Sequence, residues 1–159
     1  EVERLSIGSG GRIAVLAVGS LDDVQAAVAA GREEAAYVGE LDGSALLSRP
    51  DAMTMRCFAG ALDGPRVRTV RRALGLIETR STVGLVRAVD QMLKAANVEY
   101  EGSYKVGYFL TASVIRGDVG AVRVAIEAGA QEAQEHGELV SAHVIPQLYG
   151  DVERRLLHS

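Results

Sequence analysis

Residues 19–41, GSLDDVQAAVAAGREEAAYVGEL, return 98 positions later as residues 117–139, GDVGAVRVAIEAGAQEAQEHGEL. Ten of the 23 aligned positions are identical without a gap: Gly19/Gly117, Val24/Val122, Ala27/Ala125, Ala30/Ala128, Gly31/Gly129, Glu34/Glu132, Ala35/Ala133, Gly39/Gly137, Glu40/Glu138 and Leu41/Leu139. A repeat this dense means that one supersecondary unit occurs twice in a chain whose 159 residues would otherwise suit a single domain.

Each copy reads as strand, helix, strand. In the second, Tyr108 to Ile115 is apolar enough for a strand, and Asp118 is placed to cap a helix with an inner stripe of Val119, Val122, Ile126 and Ala130. Gly137 closes that helix, and Leu139 to Ile145 is a strand ended by Pro146. In the first copy, Arg12 to Val18 is the strand, and Ser20 with Asp23 makes a weak capping box. Leu21, Val24 and Val28 form the helix stripe, and Gly39 stops the helix before a second strand from Leu41 to Leu47. Alternating strands and helices predict an α/β architecture, an α+β sandwich with helices against one sheet.

Between the copies, residues 73–106 add a strand (ALGLIE), a helix from about Ser81 to Ala96 with Val86, Val89 and Leu93 on one face, and a strand from Val98 to Val106. The second unit is thereby complete. The matching start of the first unit falls before residue 1, and the chain opens on Glu1 rather than Met, so the sequence reads as part of a longer tandem protein; a true partial duplication is the other reading. The expected division is 1–62 for the second half of a first domain, 63–72 for a connector and 73–159 for a complete second domain.

Composition removes several classes of function. No run of 18 apolar residues and no signal-peptide pattern is present, so a cytoplasmic protein without a membrane partner is expected. The single cysteine, Cys57, makes neither an internal disulfide nor a zinc site. A net charge of −4 and an absence of Trp argue against nucleic acid as a partner. The arginines at 66, 68, 71 and 72 alternate in PRVRTVRR as one charged face of an extended strand would. The segment before them, RPDAMTMRCFAGAL, suits a short amphipathic helix. His136, His143 and His158 lack metal-ligand spacing, and no nucleophile, base and orienting acid fall into a recognisable set. No catalytic residue, metal or cofactor is implied, and the chain is not read as an enzyme.

Three stretches in the second unit, ALGLIETRSTVGLVRAVDQMLKAANVE (73–99), KVGYFLTASVIRGDVGAV (105–122) and AGAQEAQEHGELVSAHVIP (128–146), resemble the shell proteins of bacterial microcompartments in order and spacing. The first unit resembles the second half of the same domain through IGSGGRIAV and GELDGSALLSRP. Together they are similar to the tandem-domain subclass, with ferredoxin-like domains. The resemblance implies a homotrimer that imitates a six-fold disk, tiles edge to edge with other shell proteins around encapsulated enzymes, and passes small metabolites through a central pore. Some tandem members hold an iron–sulfur cluster through a pore cysteine; neither loop here has one.

The resemblance places Gly8, Ser9, Gly10 and Gly11 in one pore loop, where glycine suits close approach of backbones around an axis. The equivalent loop reads Gly107, Tyr108, Phe109, so aromatic side chains would line half the pore unless one of them turns into the core. Backbone N–H groups facing such an opening would favour anionic or polar metabolites. Lys94 and Asn97, in KAAN, match the disk-edge motif, with Asp90 one helical turn before Lys94 and able to orient it. The partner motif of that edge survives as Arg49-Pro50 in the first unit, whereas the second unit has Gln147-Leu148 there. Without the resemblance, Lys94 would read as a solvated lysine and the glycines as an ordinary loop. A small-molecule-binding α/β regulatory module, with the glycine loop on its ligand, is the alternative reading of function.

Overall fold

Seven residues from Ala73 explain why a sheet forms where it does. ALGLIET alternates its side chains between two apolar environments, and five of the seven residues before Arg80 are apolar or glycine, Glu78 and Thr79 being the exceptions, which suits a central strand covered on both faces. In the computed structural model, which describes residues 1–7, 13–58, 73–106 and 110–151, this strand sits inside a four-stranded antiparallel sheet.

In chain order the elements are β1 (Val2–Ile7), β2 (Ile13–Ala17), α1 (Leu21–Val38), α2 (Ala52–Phe58), β3 (Ala73–Thr79), α3 (Thr82–Ala95), β4 (Glu99–Val106), β5 (Leu110–Gly117), α4 (Val119–Glu135) and β6 (Leu139–Ile145). The second unit runs β3-α3-β4-β5-α4-β6 with strand order β4-β5-β3-β6, the ferredoxin-like split βαβ arrangement. β1 and β2 form a separate two-stranded hairpin.

The core lies between the sheet and helices α3 and α4. Ala73, Ile77 and Ile115 on the sheet meet Leu85, Ala88, Val89 and Met92 of α3 and Val122, Ala125, Ile126 and Ala133 of α4. The expected stripes are shifted by a residue or two: Val86 is half-buried beside Leu85 and Ala88, and Val119 is exposed at the start of α4. Two glycines set the approach distances. A Cβ on Gly75 would stand 2.7 Å from Ile126 Cγ1, so its absence lets α4 lie close on the sheet. A Cβ on Gly129 would stand 2.5 Å from Met92 Cγ and 3.1 Å from the Ala88 carbonyl oxygen, so its absence lets the two helices close together. Leu74 and Val114 point to the opposite face, where Leu76, Ile145 and Leu148 cover them.

The helix ends follow their sequences in part. Ser81 caps α3 by accepting the Gly84 N–H at 3.0 Å. Asp118 occupies the N-cap position of α4, but its side chain makes no cap hydrogen bond. After His136 the chain turns through Gly137 at φ 68°, the left-handed geometry that favours glycine, and the Glu138 N–H bonds the Ala133 carbonyl at 2.8 Å. Ser20 caps α1 as expected, receiving the Asp23 N–H and donating its hydroxyl to the Asp23 carboxylate at 2.6 Å.

The first repeat copies the second in backbone but not in burial. In β1–β2, Leu5 stands opposite Val15 and Ile7 opposite Ile13; 98 positions later Ser103 stands opposite Ser113 and Lys105 opposite Thr111. Even the irregularity recurs, between Val2 and Arg4 in one hairpin and between Tyr100 and Gly102 in the other. Yet α1 has no buried residue. Leu21, Tyr37 and Val38 are more than half exposed, against the expectation that Leu21 would face a core.

The strand expected from Leu41 to Leu47 does not form; the segment has no regular secondary structure. The reason is physical: its counterpart β6 is held by hydrogen bonds to β3, and among the described residues no strand takes β3's place beside β2. A strand's backbone groups need a ladder partner, and apolar alternation alone does not supply one. The short helix expected after Arg49-Pro50 is present as α2. β1, with three charged or polar residues in VERLSI, is a strand that the sequence reading did not contain.

Candidate assembly edge

α3 carries two of the residues matched to the disk edge, Asp90 and Lys94, and the first is a buried acid. Asp90 lies on the inward side of α3, 1% exposed, where an unpaired carboxylate would be costly. It is fully engaged. Its Oδ2 receives the Lys94 ammonium at 2.5 Å, one helical turn on. Its Oδ1 accepts the Asp51 backbone N–H at 2.8 Å and the Thr54 hydroxyl at 3.2 Å. Asp51 and the fully buried Thr54 belong to the start of α2 in the first repeat's half of the chain. Asp51 in turn receives the Met53 N–H on its own Oδ1 at 2.8 Å, which fixes the entry of the helix.

This arrangement ties the two halves of the expected edge together within one chain. Lys94 is anchored at its tip by Asp90 while its side chain stays 38% exposed, so the stem lies at the surface in a fixed direction. Arg49 and Pro50 precede Asp51 directly, and Arg49 takes φ 55°, a left-handed conformation that costs a non-glycine residue roughly 1–2 kcal/mol. That kink lets the chain turn from residues 41–47 into α2. Asn97 is exposed just past the end of α3, with its carbonyl against Gly117. Asp90, Lys94 and the turn after Arg49-Pro50 are thus brought together, and Asn97 flanks them. The contributions of Asp51 and Thr54 were not visible in the sequence, because they lie 39 and 36 residues from Asp90 and only the amphipathic pattern of α2 hinted at a packed helix.

The expected pore residues, Gly8, Ser9, Gly10, Gly11, Gly107, Tyr108 and Phe109, lie outside the described residues. The strands on either side are described, and both loops join hairpins of identical register.

A second polar cluster buttresses the N-terminus of α3. Glu138 accepts the Ser81 N–H at 3.0 Å, and its carbonyl accepts the Arg80 N–H at 2.9 Å. A Cβ on Gly84 would stand 2.7 Å from the Glu138 side chain, so glycine is what admits the carboxylate there. A cleft of about 160 Å³ opens beside it, bounded by residues 42–44, Val83, Arg87 and His136. Two of its side chains are already engaged: Arg87 pairs with Glu132 at 2.6 Å, and the His136 ring contacts the Glu132 backbone oxygen at 2.9 Å. Among the described residues no group of three or more His, Cys, Asp or Glu is placed to hold a metal, and no helix is long and apolar enough to cross a membrane.

Known proteins share this architecture. Residues 73–148, the whole sheet-and-helix unit, match the BMC domain. The bacterial microcompartment shell protein EutM of Salmonella typhimurium is 52% identical over 81 residues, covering 51% of this chain and 84% of that protein. The carboxysome assembly protein CcmO of Synechocystis is 35% identical over 158 residues, covering 94% of this chain; the chain spans 53% of that protein's length. Among solved structures, a microcompartments protein from Desulfitobacterium hafniense superposes with a TM-score of 0.78 at 27% identity, over 97% of this chain and 83% of that one.

Proposed function

This chain belongs to the BMC-domain family of bacterial microcompartment shell proteins, and from that premise we propose that three copies close into a pseudohexameric disk that tiles into a shell facet. Its relatives are shell and assembly proteins, not enzymes, and its work is structural. The observation that carries the proposal is the second hairpin: β1–β2 repeats the register of β4–β5, so each chain offers two equivalent units to a ring. Three chains then supply six such hairpins, and six loops, 8–11 and 107–109 in alternation, would surround the axis as a pore for small polar metabolites. Division of the chain at 62 and 72 follows from the same reading.

The edge of the disk is assigned to Lys94, with Asp90 orienting it, Asn97 beside it and Arg49-Pro50 as its partner on the other edge type. Other shell proteins dock edge to edge there, and encapsulated enzymes lie behind the facet. An anchored lysine stem presents a flat apolar surface with a directed charge, which suits a contact repeated around a disk. Lys94→Ala is expected to leave the chain folded though less stable, since the buried Asp90 carboxylate loses its cation but keeps the Asp51 N–H and the Thr54 hydroxyl as donors. It is expected to abolish extended sheets in electron micrographs of the purified protein. Sheets indistinguishable from the parent's would remove Lys94 from the edge. A ligand-binding module would instead show saturable thermal stabilisation by a metabolite following RT ln(1 + [L]/Kd), without sheets.

A further inference from the structure

Asp90 divides its two oxygens between the two repeats. Oδ2 takes the Lys94 ammonium at 2.5 Å, from its own helix. Oδ1 takes the Asp51 N–H at 2.8 Å and the Thr54 hydroxyl at 3.2 Å, both from the chain that follows the first repeat. The terminal torsion of an aspartate is broad, and an ammonium on a four-carbon stem follows the carboxylate wherever it turns. Two donors converging on Oδ1 fix the plane of the group. Oδ2 then has one place, and the Lys94 ammonium has one place beside it.

The hydroxyl is the part of this bond set that depends on the residue chosen. Any residue but proline supplies an N–H at position 51, whereas a donor from the side chain at 54 requires a particular kind of residue. Thr54 is fully buried, where a hydroxyl is costly unless bonded, and Asp90 accepts it. The helix itself does not call for the hydroxyl. At the repeat's spacing of 98 residues the chain is helical again at Gly150 and Asp151, the counterparts of Ala52 and Met53, and the place of Thr54 is held by Val152. Valine has the shape of threonine without the donor. The segment seated on Asp90 carries the hydroxyl, and its counterpart does not.

Packing does not call for it either. A buried carboxylate with its donors stabilises a contact no better than an apolar pair of the same shape. What the bonded set adds is direction for the Lys94 side chain, which is 38% exposed.

We propose that Thr54 is a positioning residue for assembly: acting through Asp90, its hydroxyl sets the direction in which Lys94 meets a neighbouring disk. The edge of the second repeat is thereby set from the first. This rests on the assignment of Lys94 to the edge.

The test compares Thr54→Val, Thr54→Ser and Met53→Ala in the full 159-residue chain, by the lowest concentration at which sheets appear in electron micrographs. Thr54→Val is expected to keep the parent's native mass and to raise that concentration about tenfold, the effect of losing one buried hydrogen bond. Thr54→Ser restores the hydroxyl and is expected to tile like the parent. Met53→Ala trims a side chain of the same helix that packs on the core, leaves the bonds to Asp90 in place, and is also expected to tile like the parent. A second readout needs no sheets. The chain has two lysines, Lys94 and Lys105, so acetylation of the dilute protein reports on Lys94 with Lys105 as internal standard. Thr54→Val should acetylate faster at Lys94, and Thr54→Ser should not.

Unchanged tiling or unchanged Lys94 reactivity in Thr54→Val would overturn the proposal. So would misfolding of Thr54→Val, failure of Thr54→Ser to restore tiling, or an equal loss in Met53→Ala, because Thr54 would then serve only the packing of α2. Lys94→Ala separates this from the edge reading. If it tiles like the parent, the edge assignment has failed; if it loses sheets while Thr54→Val keeps them, the edge stands and the positioning role falls.

Discussion

α1 and α4 are nearly the same helix in two settings. They share the residues that would face a core, follow hairpins of the same register, and end near equivalent glycines. One closes a hydrophobic core and the other buries nothing. The difference teaches that the apolar stripe of a helix states a capacity for packing, while burial depends on whether a partner surface is present. α4 has β3 and α3 beneath it; among the described residues no such strand and helix pack against α1. Even the closing glycines diverge: Gly137 turns at φ 68° into β6, whereas Gly39 is extended at φ −173° and leads into a segment without a ladder.

Substitutions at matched positions break this comparison most sharply. Ile126→Ala removes a buried side chain and is expected to destabilise the second unit by about 2–5 kcal/mol. Val28→Ala, its counterpart in α1, is expected to change stability by no more than about 0.5 kcal/mol. Urea unfolding followed by circular dichroism measures both, and equal losses would mean that α1 is packed after all.

Next in size is the carboxylate that joins the halves. Asp90→Ala leaves the Asp51 N–H and the buried Thr54 hydroxyl without their acceptor, at about 1–3 kcal/mol for each such group that stays dry. It should also free Lys94 to wander. A drop in the unfolding midpoint together with faster amide exchange over α2 is the expected result; an unchanged α2 would mean that the first repeat's end is held by other contacts.

The glycines give the smallest effect and the clearest sign. Gly129→Ala crowds Met92 and the Ala88 carbonyl and should lower stability by about 1–3 kcal/mol. Gly31→Ala meets no neighbour among the described residues and should raise helix stability by about 0.5–1 kcal/mol in the chain by itself. Thermal melts of the two variants should therefore move in opposite directions.

Much of the second unit was legible in its sequence. Leu139–Ile145 is a strand with the boundaries expected, Gly137 closes its helix as read, and the helix expected from about Ser81 starts there. What was misread involved partners distant in the chain. LDGSALL has the composition of a strand, but a strand is defined by its neighbour, and the neighbour is not among the described residues. VERLSI, with three polar or charged residues, forms a strand because β2 is beside it to complete the ladder. The edge showed the same limit. The pairing of Asp90 with Lys94 follows from i, i+4 spacing, whereas the bonds from Asp51 and Thr54 cross between the two repeats and leave no periodic trace.

The central claim is that one chain counts as two units of a ring. Native mass of the purified protein at low concentration tests it most directly: a mass about three times the 16.8 kDa of the chain is the predicted result. Six copies would mean either that only the second repeat builds the ring or that two trimers stack, and a monomer or dimer would contradict the shell-tile account altogether.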